Sequence, residues 1–135
     1  MSGDIDIGSL KILVIDDQEF VRTIVRKMLG QIGIGSVFEA PDAQTGLDLV
    51  ASERPHVVIC DVQMRPIDGF GFVRELRALA EAGDTPVILL TAHTDATTLA
   101  RARDLRIGAF LSKPVLPPAL KDKIVQVVSG AARPV

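Results

Sequence analysis

Three apolar runs in this chain, Lys11–Ile15, Val57–Cys60 and Pro86–Thr91, are almost unbroken by polar residues. A strand with one wet face alternates apolar and polar side chains. A strand written this way is covered on both faces, as in a parallel sheet. Ser36–Ala40 and Ala109–Ser112 complete a set of five, and the more polar Ser36–Ala40 suits an edge. The gaps between runs carry helical spacing. Val21, Ile24, Val25, Met28, Leu29 and Ile32 recur every three or four residues. Pro41-Asp42 opens a second helix with Leu47 and Val50 inward, and Asp68-Gly69 a third with Val73, Leu76 and Ala80. Thr94 or Asp95 caps a fourth with Leu99 and Ala102 apolar, and Pro117 starts a fifth with Leu120, Ile124 and Val127 inward. This is (βα)5, an α/β class with a doubly wound five-stranded parallel sheet and right-handed crossovers.

A length of 135 residues suits one domain with one core. The expected organisation is a flexible leader over 1–9, the domain over 10–129 and a flexible tail over 130–135. The net charge of −2 and the absence of a Lys/Arg run argue against direct nucleic-acid binding. No apolar stretch reaches the ~20 residues of a membrane span, and the acidic N-terminus has no signal-peptide pattern. The one cysteine, Cys60, lies inside an apolar run and cannot form an internal disulfide. It reads as a reduced core residue of a cytoplasmic protein.

Open parallel sheets bind ligands at the carboxyl ends of their strands. Here those ends carry Asp16-Asp17, Asp61, Thr91 and Lys113. Three carboxylates at one end repel one another by roughly 3 kcal/mol per pair at ~5 Å and an effective dielectric of about 20. Such a site raises a pKa, recruits Lys113 or binds a cation. Oxygen-only donors suit Mg²⁺, which keeps several waters and often takes a phosphoryl oxygen as well. Capping by one of the paired aspartates, of a helix starting near Gln18, is compatible with metal binding. Asp61 can serve as nucleophile, ligand or both, and Thr91 can hydrogen-bond a phosphoryl oxygen. Lys113 can bridge carboxylate and phosphate as a point charge, and it precedes Pro114, a bond that tight turns can hold cis.

The ordered set Ile15-Asp16-Asp17, Asp61-Val62-Gln63-Met64 with Pro66-Ile67-Asp68-Gly69, Leu90-Thr91-Ala92 and Phe110-Leu111-Ser112-Lys113-Pro114 resembles the response-regulator receiver family, from about Lys11 to Val128. The resemblance implies a flavodoxin-like strand order 2-1-3-4-5. It implies that Asp61 is phosphorylated by a partner's phosphohistidine. Asp17 and Asp61 would then ligate Mg²⁺, with Asp16 acting through water and the Gln63 carbonyl as a further ligand. Thr91 and Lys113 would hold phosphoryl oxygens, and Phe110 would be the switch aromatic. Side chains at Gln63 and His93 would tune attack by water on the acyl phosphate. The implied partners are a histidine kinase or phosphotransfer protein and a downstream effector. The implied state is a monomer or a phosphorylation-linked dimer, and the role is that of an acceptor rather than an enzyme.

Two positions depart from the family. Arg65 stands where Pro usually follows the Met, with Pro66 one residue later, which alters the loop over the pocket and puts a rate-tuning guanidinium at its rim, near the phosphate or a partner, or else in solvent. Arg106 replaces a common Gly before the last strand, which puts the usual tight turn in doubt. Phe20, off the inner stripe of the first helix, either docks a histidine-bearing helix or packs under the neighbouring loop. Arg101, Arg103 and Arg106 read as a solvated face.

The chain reads as a stand-alone receiver. A receiver excised from a hybrid kinase or larger regulator, or a degenerate one that never takes phosphate, is the alternative. A haloacid-dehalogenase-type phosphatase needs two aspartates two residues apart on the first strand, and Gln18 occupies that position relative to Asp16. A flavin carrier fits poorly, because Asp16-Asp17 would repel its phosphate.

Overall fold

The computed structural model describes residues 6–92, 96–107 and 109–129. Five strands alternate with five helices: β1 Lys11–Ile15, α1 Glu19–Ile32, β2 Ser36–Ala40, α2 Ala43–Glu53, β3 Val57–Asp61, α3 Gly69–Arg77, β4 Val87–Thr91, α4 Ala96–Asp104, β5 Ala109–Ser112 and α5 Pro117–Ser129. All strand pairs are parallel, in the order β2-β1-β3-β4-β5. The more polar β2 is an edge, as its composition requires. Residues 7–9, assigned to the leader from sequence, form a single 3-10 turn.

The unbroken apolar runs are explained by what covers them. Ile12, Val14, Ile59, Ile88 and Leu90 face Val25 and Leu29 of α1 and Leu120, Ile124 and Val127 of α5. Leu13, Ile15, Val58, Cys60 and Leu89 face Val50 of α2, Phe72, Val73 and Leu76 of α3, and Ala102 of α4. Successive strand residues therefore enter different cores, and β3 and β4 are buried throughout. Each fully buried Leu, Ile or Val contributes roughly 1.5–3 kcal/mol against the entropy of ordering the chain.

Helix ends follow local chemistry. Asp42 accepts the Thr45 N–H at 2.8 Å and caps α2, which holds its carboxyl below the usual range. Asp68 does the same for α3 through the Gly71 N–H. Gly33 ends α1 in the left-handed region at φ 109°.

Three expectations need correction. Ala80 is not on α3. The helix stops at Arg77, whose guanidinium donates to the carbonyls of Leu105, Gly83, Thr85 and Arg106 at 2.6–3.0 Å. That side chain ties the α3–β4 loop to the α4–β5 turn, and Ala80 is left exposed. Leu99 is likewise 44% exposed, so Ala102 alone is buried among the described side chains of α4. The turn at Arg106 is kept rather than lost. Arg106 takes φ 55°, and the Ile107 N–H reaches back to the Ala102 carbonyl, which is the helix-ending geometry usually given to Gly.

A side chain in that region is held at a cost of roughly 1–2 kcal/mol. The exposed Arg106–Asp84 ion pair at 2.9 Å returns little. Arg106→Gly is therefore expected to raise stability by about 0.5–1 kcal/mol in urea unfolding. A loss of stability would mean that the Arg106 side chain anchors this turn.

Candidate functional site

Parallel register brings the polar strand ends together. Asp61 closes β3 beside Leu90, and Thr91 closes β4 beside Ser112. The Asp16 N–H donates to the Ala40 carbonyl, and the Lys113 N–H to the Thr91 carbonyl. Asp16, Asp61 and Thr91 are the buried polar residues of the described chain, each no more than 5% exposed.

The Lys113 Nζ lies 2.7 Å from Asp61 Oδ1. The Lys113–Pro114 bond is cis, as is Arg65–Pro66. Asp16 Oδ1 accepts the Gln18 N–H at 2.9 Å, so this aspartate supports the start of α1. Its Oδ2 is buried and has no partner among the described residues. Burial pushes the Asp16 carboxyl up to about 6; the Gln18 N–H opposes this, Asp61 adds to it, and Lys113 opposes it. Cys60, wholly buried, has its thiol pushed up by burial and by the nearby Asp61, and remains a core residue.

Asp17 and Gln63 are exposed and wall a cleft of about 650 Å³ with Gln18, Val62, Met64, Arg65 and Asp68. Gly69 sets the height of that wall. A Cβ there would stand 2.5 Å from the Asp61 carbonyl oxygen and 3.0 Å from Val62 Cα. The Gly69 N–H donates to the Val62 carbonyl at 2.8 Å, so α3 starts directly against the backbone that carries Asp61. Phe110 is half-buried against the α2–α3–α4 core. Phe20 is 73% exposed and does not pack under a loop. His93, Thr94 and Asp95 lie outside the described residues.

Two contributors were not singled out from sequence. Arg22 donates to the Asp16 carbonyl at 2.7 Å and pairs with Glu39 of β2, which Arg26 also engages at 3.0 Å. The two arginines stand one helical turn apart on α1, which is the signal that could have found them. Arg77 is the other. On the far side of the site, Val21, Ile24 and Met28 of α1 and Pro114-Val115 border an apolar cleft of about 230 Å³ that reaches Leu90 and Lys113.

The donors suit a hard divalent cation. No group of three or more His, Cys, Asp or Glu side chains stands ready as a cage among the described residues. Mg²⁺ does not need one, because it takes one or two carboxylates, a carbonyl and several waters. The orphaned Asp16 Oδ2 is the group such a hydrated ion would satisfy.

Fold and site define a flavodoxin-like α/β domain with an acidic pocket at its strand ends. The chain belongs to the response-regulator receiver family: the response regulator receiver domain matches residues 12–125. It is 31% identical to a probable chemotaxis protein CheY of Rhizobium etli, over 92% of this chain and 95% of that protein. It is 37% identical to the probable transcriptional regulator ycf27 of Galdieria sulphuraria, over 84% of this chain and 43% of that protein. The chain thus spans about half the length of the ycf27 relatives it matches. The solved chemotaxis protein CheY4 of Vibrio cholerae superposes with a TM-score of 0.82 at 29% identity, covering 87% of this chain and 98% of that one. Membership makes the chain a receiver domain of the two-component response-regulator type. No described helix is long and apolar enough to cross a membrane.

Proposed function

We propose that Asp61 accepts a phosphoryl group from the phosphohistidine of a kinase or phosphotransfer protein, and that the acyl phosphate switches binding of an effector protein. The observation that carries this reading is the Lys113 Nζ at 2.7 Å from Asp61 Oδ1, beside an Asp16 oxygen with no partner. Asp61 attacks phosphorus in line. The phosphorus–imidazole nitrogen bond breaks, and the neutral histidine departs. Phosphoryl transfer needs positioning and charge neutralisation more than covalent help. Lys113 exchanges its Asp61 contact for a phosphoryl oxygen, and the Thr91 hydroxyl, on the adjacent strand end, binds another. Asp17, Asp61 and the Gln63 carbonyl would hold Mg²⁺, with Asp16 acting through its waters, and the bound ion would neutralise phosphoryl oxygens.

The switch is the displacement of Thr91 toward the phosphate, followed by inward rotation of Phe110 on the neighbouring strand. The exposed Phe20 and the apolar cleft beside Lys113 suit a histidine-bearing helix. Gln63 and His93 tune water attack. The chain acts as an acceptor in the cytoplasm, without turnover of its own and without direct contact to nucleic acid.

Incubation with Mg²⁺ and acetyl phosphate should raise the intact mass by about 80 Da, the increment of one phosphoryl group. The adduct should be acid-stable and base-labile. No adduct from acetyl phosphate or from a histidine kinase would leave a degenerate, protein-binding receiver as the reading.

A further inference from the structure

Arg65 projects from the β3–α3 segment into the wall of the acidic cleft, with Asp17, Gln63, Met64 and Asp68 around it. It is exposed and makes no ion pair or hydrogen bond among the described residues. Arg22, Arg26, Arg54 and Arg106 are each committed to a carboxylate. Lys113 is committed too, to Asp61. Asp68 caps α3 through the Gly71 N–H and stands on the same wall. An anionic phosphoryl donor entering this cleft, whose wall continues from Asp61 through Val62 and Gln63, therefore meets Asp17 and Asp68, and the uncommitted cation on the wall is Arg65.

We infer that Arg65 is a positioning residue for phosphorylation: its guanidinium pairs with the non-bridging phosphoryl oxygens of the incoming donor and steers the phosphoryl group toward Asp61. The inference rests on the phospho-acceptor reading. Guanidinium suits this task because its planar fork matches two phosphoryl oxygens, and it stays charged at every working pH. The contact acts at encounter, so it is felt in the second-order rate and is screened by salt. The chemical step is unchanged. The Asp61 oxygen–phosphorus bond forms, the phosphorus–acyl oxygen bond breaks, and acetate leaves when the donor is acetyl phosphate.

The test follows intact mass with time for the full chain, Arg65→Gln and Arg65→Lys, with Mg²⁺ and either acetyl phosphate, a dianion, or phosphoramidate, which carries one net charge fewer. Arg65→Gln should slow phosphorylation by acetyl phosphate about three- to ten-fold at low ionic strength. The loss should be smaller for phosphoramidate, should fade at high salt, and should be largely restored in Arg65→Lys. The Mg²⁺ concentration that half-maximally raises the melting temperature should be unchanged or lower in Arg65→Gln, since a cation has been removed from beside the carboxylates. Equal rates for Arg65→Gln and the parent chain would overturn the inference. So would a loss that salt does not relieve, or weakened Mg²⁺ binding, because either marks a structural role. An adduct that forms at the same rate in both proteins leaves the phospho-acceptor reading standing. No adduct in the parent chain removes both.

Discussion

Asp61→Asn should carry no phosphoryl adduct under conditions that load the parent chain to completion. An amide oxygen has neither the charge nor the lone-pair availability of a carboxylate, and the two neighbouring carboxylates are poorly placed to substitute. The neighbouring Asp16 is held by the Gln18 N–H and buried with its free oxygen, and Asp17 stands out in the cleft. The substitution preserves shape while removing the nucleophile and the charge that would help hold Mg²⁺. It also takes from Lys113 its 2.7 Å partner, and the half-exposed ammonium turns to solvent. Loss of the adduct with an unchanged circular dichroism spectrum supports Asp61 as acceptor. An equal adduct in Asp61→Asn would place the nucleophile elsewhere and sink the assignment.

Asp16→Asn is expected to stabilise the metal-free domain by about 1–3 kcal/mol at pH 7.5. The Asp16 carboxyl is pushed up to about 6, chiefly by burial, from an ordinary value near 3.8. Folding therefore favours its protonated form. That stability is fully present below about pH 4 and is lost as pH rises through about 6. A tenfold change in proton affinity is worth about 1.4 kcal/mol, which sets the upper end of the range. Denaturant unfolding followed by circular dichroism should show the parent chain losing stability between pH 4 and pH 6.5 relative to Asp16→Asn. Mg²⁺ should recover stability in the parent chain by mass action and recover less in the variant. Parallel pH profiles for the two proteins would show that Asp16 ionises at no cost to the fold.

The strands and the site were legible in the sequence because both depend on local pattern. An unbroken apolar run states that two faces are covered, and the residue that ends it falls at the ligand-binding end of the sheet. Asp61, Thr91 and Lys113 could be placed in this way, residue by residue. Their contacts could not, since the 2.7 Å approach of Lys113 and the bare oxygen of Asp16 arise from how neighbouring strands are staggered. Ala80 extends the spacing of α3, yet the helix ends at Arg77. A guanidinium that collects four carbonyls from two loops decides the boundary, and periodicity does not register such a contact. Leu99 has the right spacing and is exposed, because α4 is too polar around it to be drawn inward. Residue type alone puts the turn at Arg106 in doubt; the backbone takes the left-handed conformation and bears the strain.

The thin attachment of α4 has an energetic meaning. Helices α1, α3 and α5 each commit several apolar side chains to a core, whereas among its described side chains α4 buries Ala102 and leans Arg101 over the Phe70 ring at 4.1 Å. One methyl group and one cation–π contact are worth about 1–2 kcal/mol together. By its described side chains α4 is therefore held to the core less firmly than α1, α3 or α5, and the Arg77 hydrogen bonds to the Leu105 and Arg106 carbonyls add to that hold. It also follows β4, whose last residue is Thr91, and precedes β5, which carries Phe110. Hydrogen bonds made or broken at those strand ends, each worth about 1 kcal/mol, are of the same size as the contacts of its described side chains.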